Sequence, residues 1–563
     1  MPMNTKTYDA IVVGSGITGG WAAKELTERG LRVLLLERGR QVTHGKDYVG
    51  EHQAPWDMPF RGEGDRQRYA RDFPVQSQCY AMNEYTESFF VNDRQHPYES
   101  DPSNPFLWIR GYQLGGRSLT WGRQVYRWSD LDFAANVEDG YGVDWPIRYK
   151  DLAPWYDRVE QFIGVSGARE DLPHLPDGEF LPPMKLNCVE RHFKQALEKQ
   201  YPERRLTIGR TAILTEAHNG RSPCHYCGPC ERGCSAGAYF SSLSATLPAA
   251  EVTGKLTVQT DAIVEQVEFD KTRGRASGVT FIESISGQRR TVEAKVIFLC
   301  ASTLASTQIL LNSRSEVFPN GLGNSSGTLG HYLMDHVMTA PAFAHMPGFE
   351  DQAYYGNRPN GFFIPRFGNV GKQNRDYVRG YGCQGYAVRM GWERGLQGAG
   401  IGLDFKRSLR RPGPWMIGFS GFGECLPNYN NRVSLNLDKR DQWGIPQLKV
   451  EFRFGANEEK LAADFRRESV SMLEAAGAKN IVASDEVAPG GLAVHEMGTA
   501  RMGRDHRTSV LNGNNQCHDV PNLFVTDGAC MTSSAWQNPS LTYMALTARA
   551  ANFAADAIEK GVL

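Results

Sequence analysis

YDAIVVGSGITGGWAAKELTERGLRVLLLERG, residues 8–39, is the stretch whose reading decides the fold. Its apolar run Ala10–Val13 has no polar interruption, the pattern of a parallel strand buried on both faces. The run ends at Gly14, and Gly14, Gly16 and Gly19 form G-x-G-x-x-G. Helical spacing is predicted over Ile17–Arg29, with Gly30 placed to end it. Leu31–Leu36 is then a second buried strand, ending at Glu37. Each part suits a dinucleotide. The glycines let backbone approach a pyrophosphate, the helix N-terminus favours its charge, and Glu37 can accept from a ribose diol. Glycine turns after strands are common, but here strand, helix and terminal acid stand in the required order. An acid at that strand end disfavours a 2′-phosphate, so FAD or NAD fits better than NADP.

The remaining length, within 563 residues, implies two or more domains. A formal net charge of −1 offers no basic field for nucleic acid and no acidic tail. No run of about 18 apolar residues occurs, so no membrane span is expected. MPMNTKTY at the start leaves no room for the charged, apolar and cleavage regions of a signal peptide.

A second stretch, CHYCGPCERGC (224–234), gathers Cys224, Cys227, Cys230 and Cys234 in the spacing C-x2-C-x2-C-x3-C. The other seven cysteines are scattered and do not form a disulfide framework for so long a chain. The spacing matches an iron–sulfur run. Zinc is the rival reading, although structural zinc sites usually draw cysteine pairs from separated segments. Gly228, Pro229, Gly233 and Gly237 bend the loop so that thiolates can converge. Ser235 stands where ferredoxins carry proline, which ranks Cys224, Cys227 and Cys230 ahead of Cys234 as ligands. A 3Fe–4S and a 4Fe–4S cluster both remain open.

Further along lie LGGRSLTWG (114–122), a strand pair in LTVQTDAIVEQVEFD (256–270), and a strand–turn–helix in AKVIFLCASTLASTQILLNS (294–313). Near the C-terminus come HEMGTARMG (495–503), TDGACM (526–531) and QNPSLT (537–542), the last opening a small-residue helix. In this order the segments resemble the glucose–methanol–choline (GMC) oxidoreductase family over essentially the whole chain. QNPSLT makes the sugar-oxidising branch the most similar, since many other branches place histidine where Asn538 stands. The resemblance implies an α/β protein with a Rossmann-like FAD-binding domain and a discontinuous α+β substrate domain on an antiparallel sheet. The expected division is 1–162, 224–341 and 483–563 for FAD, and 163–223 and 342–482 for substrate.

Residue by residue, the resemblance implies that His495 is the base taking the hydroxyl proton and that Asn538 holds the substrate oxygen. Histidine titrates near neutrality, and an amide fixes geometry without a competing charge. The bland reading of His495 is a loop histidine capping backbone groups. Gly115, Gly116, Ser118, Val264, Asp527 and Gly528 join Gly14, Gly16, Gly19 and Glu37 at the cofactor. Some family members bond the flavin covalently through a histidine where Thr120 stands, so FAD is expected to be non-covalent. The aromatic and glycine-rich segments 353–368 and 380–395 suit a sugar as well as they suit sheet core. Gln384 and His336 are candidate substrate contacts on those terms.

A cluster passes electrons singly, so the cysteine loop reads as an electron exit and favours a dehydrogenase over an oxidase. The resemblance implies a small second subunit and a cytochrome or quinone acceptor. It places the protein in the periplasm if a signal-bearing partner exports it, and otherwise in the cytoplasm. The favoured reaction is oxidation of the C3 hydroxyl of a glucoside, as in glucoside 3-dehydrogenases. The alternatives are a gluconate or aldopyranose 2-dehydrogenase, and an oxygen-using pyranose oxidase whose cysteine loop is a structural zinc site.

Overall fold

The apolar runs at the N-terminus form the centre of a parallel sheet. Tyr8–Val13 pairs in parallel with Val33–Leu36 on one side and with the second half of Arg289–Leu299 on the other. Leu256–Gln259 and Leu523–Val525 extend the sheet at its two flanks, again in parallel. The computed structural model describes residues 8–354, 356–396, 398 and 400–563. Residues 1–7, read above for a leader, and Tyr355 of the aromatic stretch therefore lie outside the described residues.

Strand Arg289–Leu299 belongs to two environments, and its sequence says where they meet. RRTVEAK alternates between more and less exposed side chains, as suits a sheet with one wet face, whereas VIFL is buried throughout. The alternating half pairs antiparallel with Arg275–Glu283, which pairs in turn with Ala262–Asp270. The strand pair expected in 256–270 is thus two strands with different partners, since the chain turns at Asp261 with φ 57°. Helix Ile17–Glu28 follows the glycine turn and packs against the C-terminal helix Ser540–Glu559. The alanines of that last helix, Ala545, Ala548, Ala551 and Ala555 among them, are fully buried, and their size lets the two helices approach closely.

A second sheet is antiparallel, in the order Lys479–Val482, Ala342–His345, Trp415–Gly423, Tyr381–Arg389, Phe362–Ile364 and Thr207–Ile208. Period-2 alternation gives it two faces. Cys383, Ile417 and Phe419 join a core with helices Cys188–Gln200 and Ala456–Ala475, through Phe193, Leu461 and Phe465. Their strand neighbours Gln384, Ser420 and Phe422 line a large cavity instead. The fold is the mixed α/β architecture expected: a Rossmann-like sheet beside an antiparallel one. No helix among the described residues is long and apolar enough to cross a membrane.

Candidate active site

The first cavity follows the glycine turn. Gly14 turns with φ 94°, and a Cβ there would lie 2.5 Å from the Cys300 carbonyl oxygen, so only glycine lets the strand end pass so near its neighbour. Gly16 caps helix Ile17–Glu28 with no side-chain acceptor for the first-turn N–H groups. A Cβ on Gly16 would find nothing within 4 Å, because it would project into the cleft. That combination of open cradle and uncapped helix N-terminus fits the pyrophosphate of a dinucleotide.

Glu37 lines the cleft beside the glycine turn. Its carboxylate accepts from the Ser15 N–H at 3.0 Å and the Gly39 N–H at 2.8 Å, and burial pushes its pKa up. Gly116, Ser118, Thr120, Val264, Asp527 and Gly528 line the same cleft. Asp527 accepts from Ser306 and from the Ala529 N–H, and burial raises it to about 6. These residues fit FAD. Gly19 and Gly115, expected at the cofactor, do not line the cleft. A Cβ on Gly19 would sit 1.9 Å from the Gly14 carbonyl oxygen, so that glycine exists for helix–turn packing. Gly115 turns with φ 91° and donates its N–H to the Ser15 hydroxyl, which steadies the turn from behind.

His495 lines both this cleft and the larger cavity, of about 1210 Å³, under the antiparallel sheet. It follows Val494, a β-branched residue held at φ 57°. Buried Asp335 pins the strained loop by accepting the N–H groups of Gly491 (2.7 Å) and His495 (3.1 Å). The imidazole Nε2 faces Asn538 Nδ2 at 3.3 Å, and Gln384 Nε2 donates to Asn538 Oδ1 at 2.6 Å. Asn538 and Gln384, read separately from the sequence, are therefore joined at one point. Burial, then the neighbouring His336 and Arg117, hold His495 well below the usual histidine range.

His336, expected at the substrate, stands apart from both cavities. It is 1% exposed and lies behind the base. Its Nδ1 stands 2.9 Å from His495 Nδ1 and its Nε2 2.9 Å from the Ala535 carbonyl oxygen. Sequence reasoning also missed the bidentate pair of Arg117 with Glu496, at 3.1 and 2.7 Å. Both residues stand inside motifs already singled out, but nothing in the chain signals a pairing across 379 positions.

The cysteine loop borders the second cavity through Tyr226, Gly228 and Glu231. Cys224, Cys230 and Cys234 are half-buried against Met184, Ile213 and Leu214, while Cys227 is exposed. Burial pushes Cys230 up to about 11, against the pull of the Arg123 cation. The donor chemistry suits a soft metal. The expected convergence is not seen: among the described residues no group of three or more His, Cys, Asp or Glu side chains is gathered to hold a metal ion.

Residues 207–338 and 427–547 match the two parts of the GMC oxidoreductase family, and residues 12–52 match an NAD(P)-binding Rossmann-like domain. The chain is 29% identical to 2-methyl-1,2-propanediol dehydrogenase of Mycolicibacterium austroafricanum, over 98% of this chain and 96% of that one. It is 26% identical to the fructose dehydrogenase large subunit of Gluconobacter japonicus, over 100% of both chains. Among solved structures, pyridoxine 4-oxidase from Mesorbium loti superposes with a TM-score of 0.60 at 16% identity, covering 97% of this chain and 99% of that one. That likeness is one of fold.

Proposed function

This chain belongs to the GMC oxidoreductase family, and from that premise we propose that it is an FAD-dependent dehydrogenase of sugars, oxidising the C3 hydroxyl of a glucoside to the ketone. The observation that carries the reading is the position of His495, which lines both the nucleotide cleft and the large cavity. A base there touches a substrate hydroxyl from the cavity side. FAD, held in the cleft, supplies the acceptor for the hydride of the carbinol carbon. The residues do the rest. His495 takes the hydroxyl proton through Nε2, and Asn538, held by Gln384, orients the substrate oxygen. The cavity walls interleave Trp121, Tyr386 and Phe422 with Gln124, Asn187 and Gln384. Aromatic faces for a pyranose ring and amides for its hydroxyls suit a sugar.

The four cysteines are proposed as ligands of an iron–sulfur centre serving a protein or quinone acceptor. Their spacing and thiol chemistry support this. Iron together with acid-labile sulfide in the purified protein is the expected result. Zinc without sulfide would turn the reading to an oxygen-using oxidase.

The full-length likeness to a fructose dehydrogenase favours a second reading, oxidation of a free sugar or aldonate at another carbon. Anaerobic absorption spectra separate the two. Methyl β-glucoside, whose C1 is blocked, is expected to bleach the flavin bands. Bleaching by glucose, fructose or gluconate but not by the glucoside would sink the C3 reading.

A further inference from the structure

We propose that His336 is a positioning residue that keeps a proton on Nδ1 of His495 and so leaves Nε2 bare for the substrate hydroxyl. The inference rests on His495 being the base. It follows from a chain of contacts that can be protonated in only one way. A carbonyl oxygen only accepts, so the Nε2 of His336, 2.9 Å from the Ala535 carbonyl, carries the hydrogen. A neutral imidazole has one N–H, so the Nδ1 of His336 is a bare acceptor. The Nδ1 of His495, 2.9 Å away, must then be the donor, and its Nε2 is bare. Asn538 completes the chain. A bare Nε2 accepts, so the amide turns its Nδ2 toward it, which is the orientation in which Oδ1 accepts from Gln384. One backbone carbonyl thus sets two tautomers and one amide.

Neutrality of both rings is what the surroundings enforce. His336 is buried, and burial alone holds it down at about 4. The charged or titratable groups facing the pair are Arg117, already joined to Glu496, and Asp335. Phe422 packs near both rings, 6.4 Å from His336 and 6.1 Å from His495 between centroids. A carboxylate behind the base would orient it equally well but would also raise its pKa. A neutral imidazole orients without that penalty, so nothing behind His495 counters the burial that holds it below the usual histidine range.

The proton step balances within the pair. The substrate O–H bond breaks and its proton bonds to Nε2 of His495, while the carbinol hydride leaves with its electron pair to FAD. His495 becomes an imidazolium whose Nδ1–H already points at the lone pair of His336. That proton can pass across 2.9 Å to His336, so the positive charge is shared by the half-buried ring of His495 and the buried ring behind it.

The test uses FAD-loaded protein, histidine-labelled with nitrogen-15, and needs no substrate. In wild type the His495 signals, assigned by their loss in His495→Ala, are expected to show a protonated Nδ1 and a bare Nε2. In His336→Phe, which keeps a ring but no acceptor, that single tautomer should give way to a mixture. In His336→Asn, whose Oδ1 can replace the lost acceptor, it should be retained. Anaerobic flavin reduction is then followed across pH, with whichever of methyl β-glucoside, glucose, fructose or gluconate reduces wild type. His336→Phe is expected to lower the limiting rate about 10- to 100-fold, with half-saturation changed by less than about 3-fold, and His336→Asn to recover most of the rate. A protonated Nε2 in wild type, or an unchanged tautomer in His336→Phe, overturns the proposal. Wild-type flavin reduction by His495→Ala would instead overturn the assignment of the base, whatever the tautomer.

Discussion

At the scale of the residue, Asp335 and His336 stand side by side with opposite electrostatic problems. Asp335 accepts two backbone N–H groups and thereby holds the loop that carries His495. Asparagine there offers one acceptor where two are needed, so one N–H would face an amide donor. Asp335→Asn is expected to cost about 1–3 kcal/mol, read as a lower unfolding temperature, and to slow flavin reduction through loss of base position. His336 contributes a pH dependence whose sign follows from burial. Its folded pKa of about 4 lies below the ordinary value near 6.5, so the unfolded chain binds the proton more readily. The stability linked to neutral His336 is complete above pH ~6.5 and falls as pH drops toward 4, by about 1.4 kcal/mol per pH unit. Denaturant unfolding at pH 7 and pH 4.5 should therefore show wild type losing more than His336→Asn. Equal losses would mean that His336 does not remain neutral in the folded protein.

At the scale of the element, the glycine turn separates packing from binding within six residues. Gly19→Ala would put a methyl group 1.9 Å from the Gly14 carbonyl, so the helix must leave the strand end. The expected outcome is little folded protein, seen in soluble yield and circular dichroism. Gly16→Ala adds a methyl group that meets no protein atom and points into the cleft. It should fold as wild type does but be purified with less flavin per chain. Equal flavin occupancy in Gly16→Ala would remove the pyrophosphate from that turn. The turn was legible because strand, glycines and helix are contiguous, whereas of Arg289–Leu299 only the part from residue 294 was read as strand, because its apolar run stands out and the alternating half before it does not. His336 was not. Its role depends on a ring 159 positions away, so no local period marks it, and its isolated identity suggested a substrate contact. Convergence of the four cysteines was expected from their spacing and from the glycines and proline that bend the loop, which fix contour length and allow turns but do not set the directions of the thiols.

At the scale of the whole molecule, the cysteine loop is a wall of the substrate cavity as well as a candidate metal site. Tyr226, Gly228 and Glu231 line the same cavity as Asn538 and Gln384. The loop is also tied to the substrate-side segment. The Asn357 N–H donates to the Tyr226 carbonyl at 2.6 Å, and the Asn357 side chain donates to the Cys227 carbonyl at 3.2 Å. A metal that fixes the loop would therefore fix the outer cavity wall, whereas His495 and Asn538 hang on the C-terminal segments and on Asp335. Cys227→Ser removes an exposed thiol that supports no core packing, so the fold is expected to survive. Metal content, measured on the purified protein, should fall. KM should rise several-fold for a glycoside with a large aglycone that reaches the loop, but change little for a small one seated at His495. Flavin reduction at saturating small substrate should stay near the wild-type rate. Equal rises in KM for large and small glycosides would show that the loop does not act through the wall it forms.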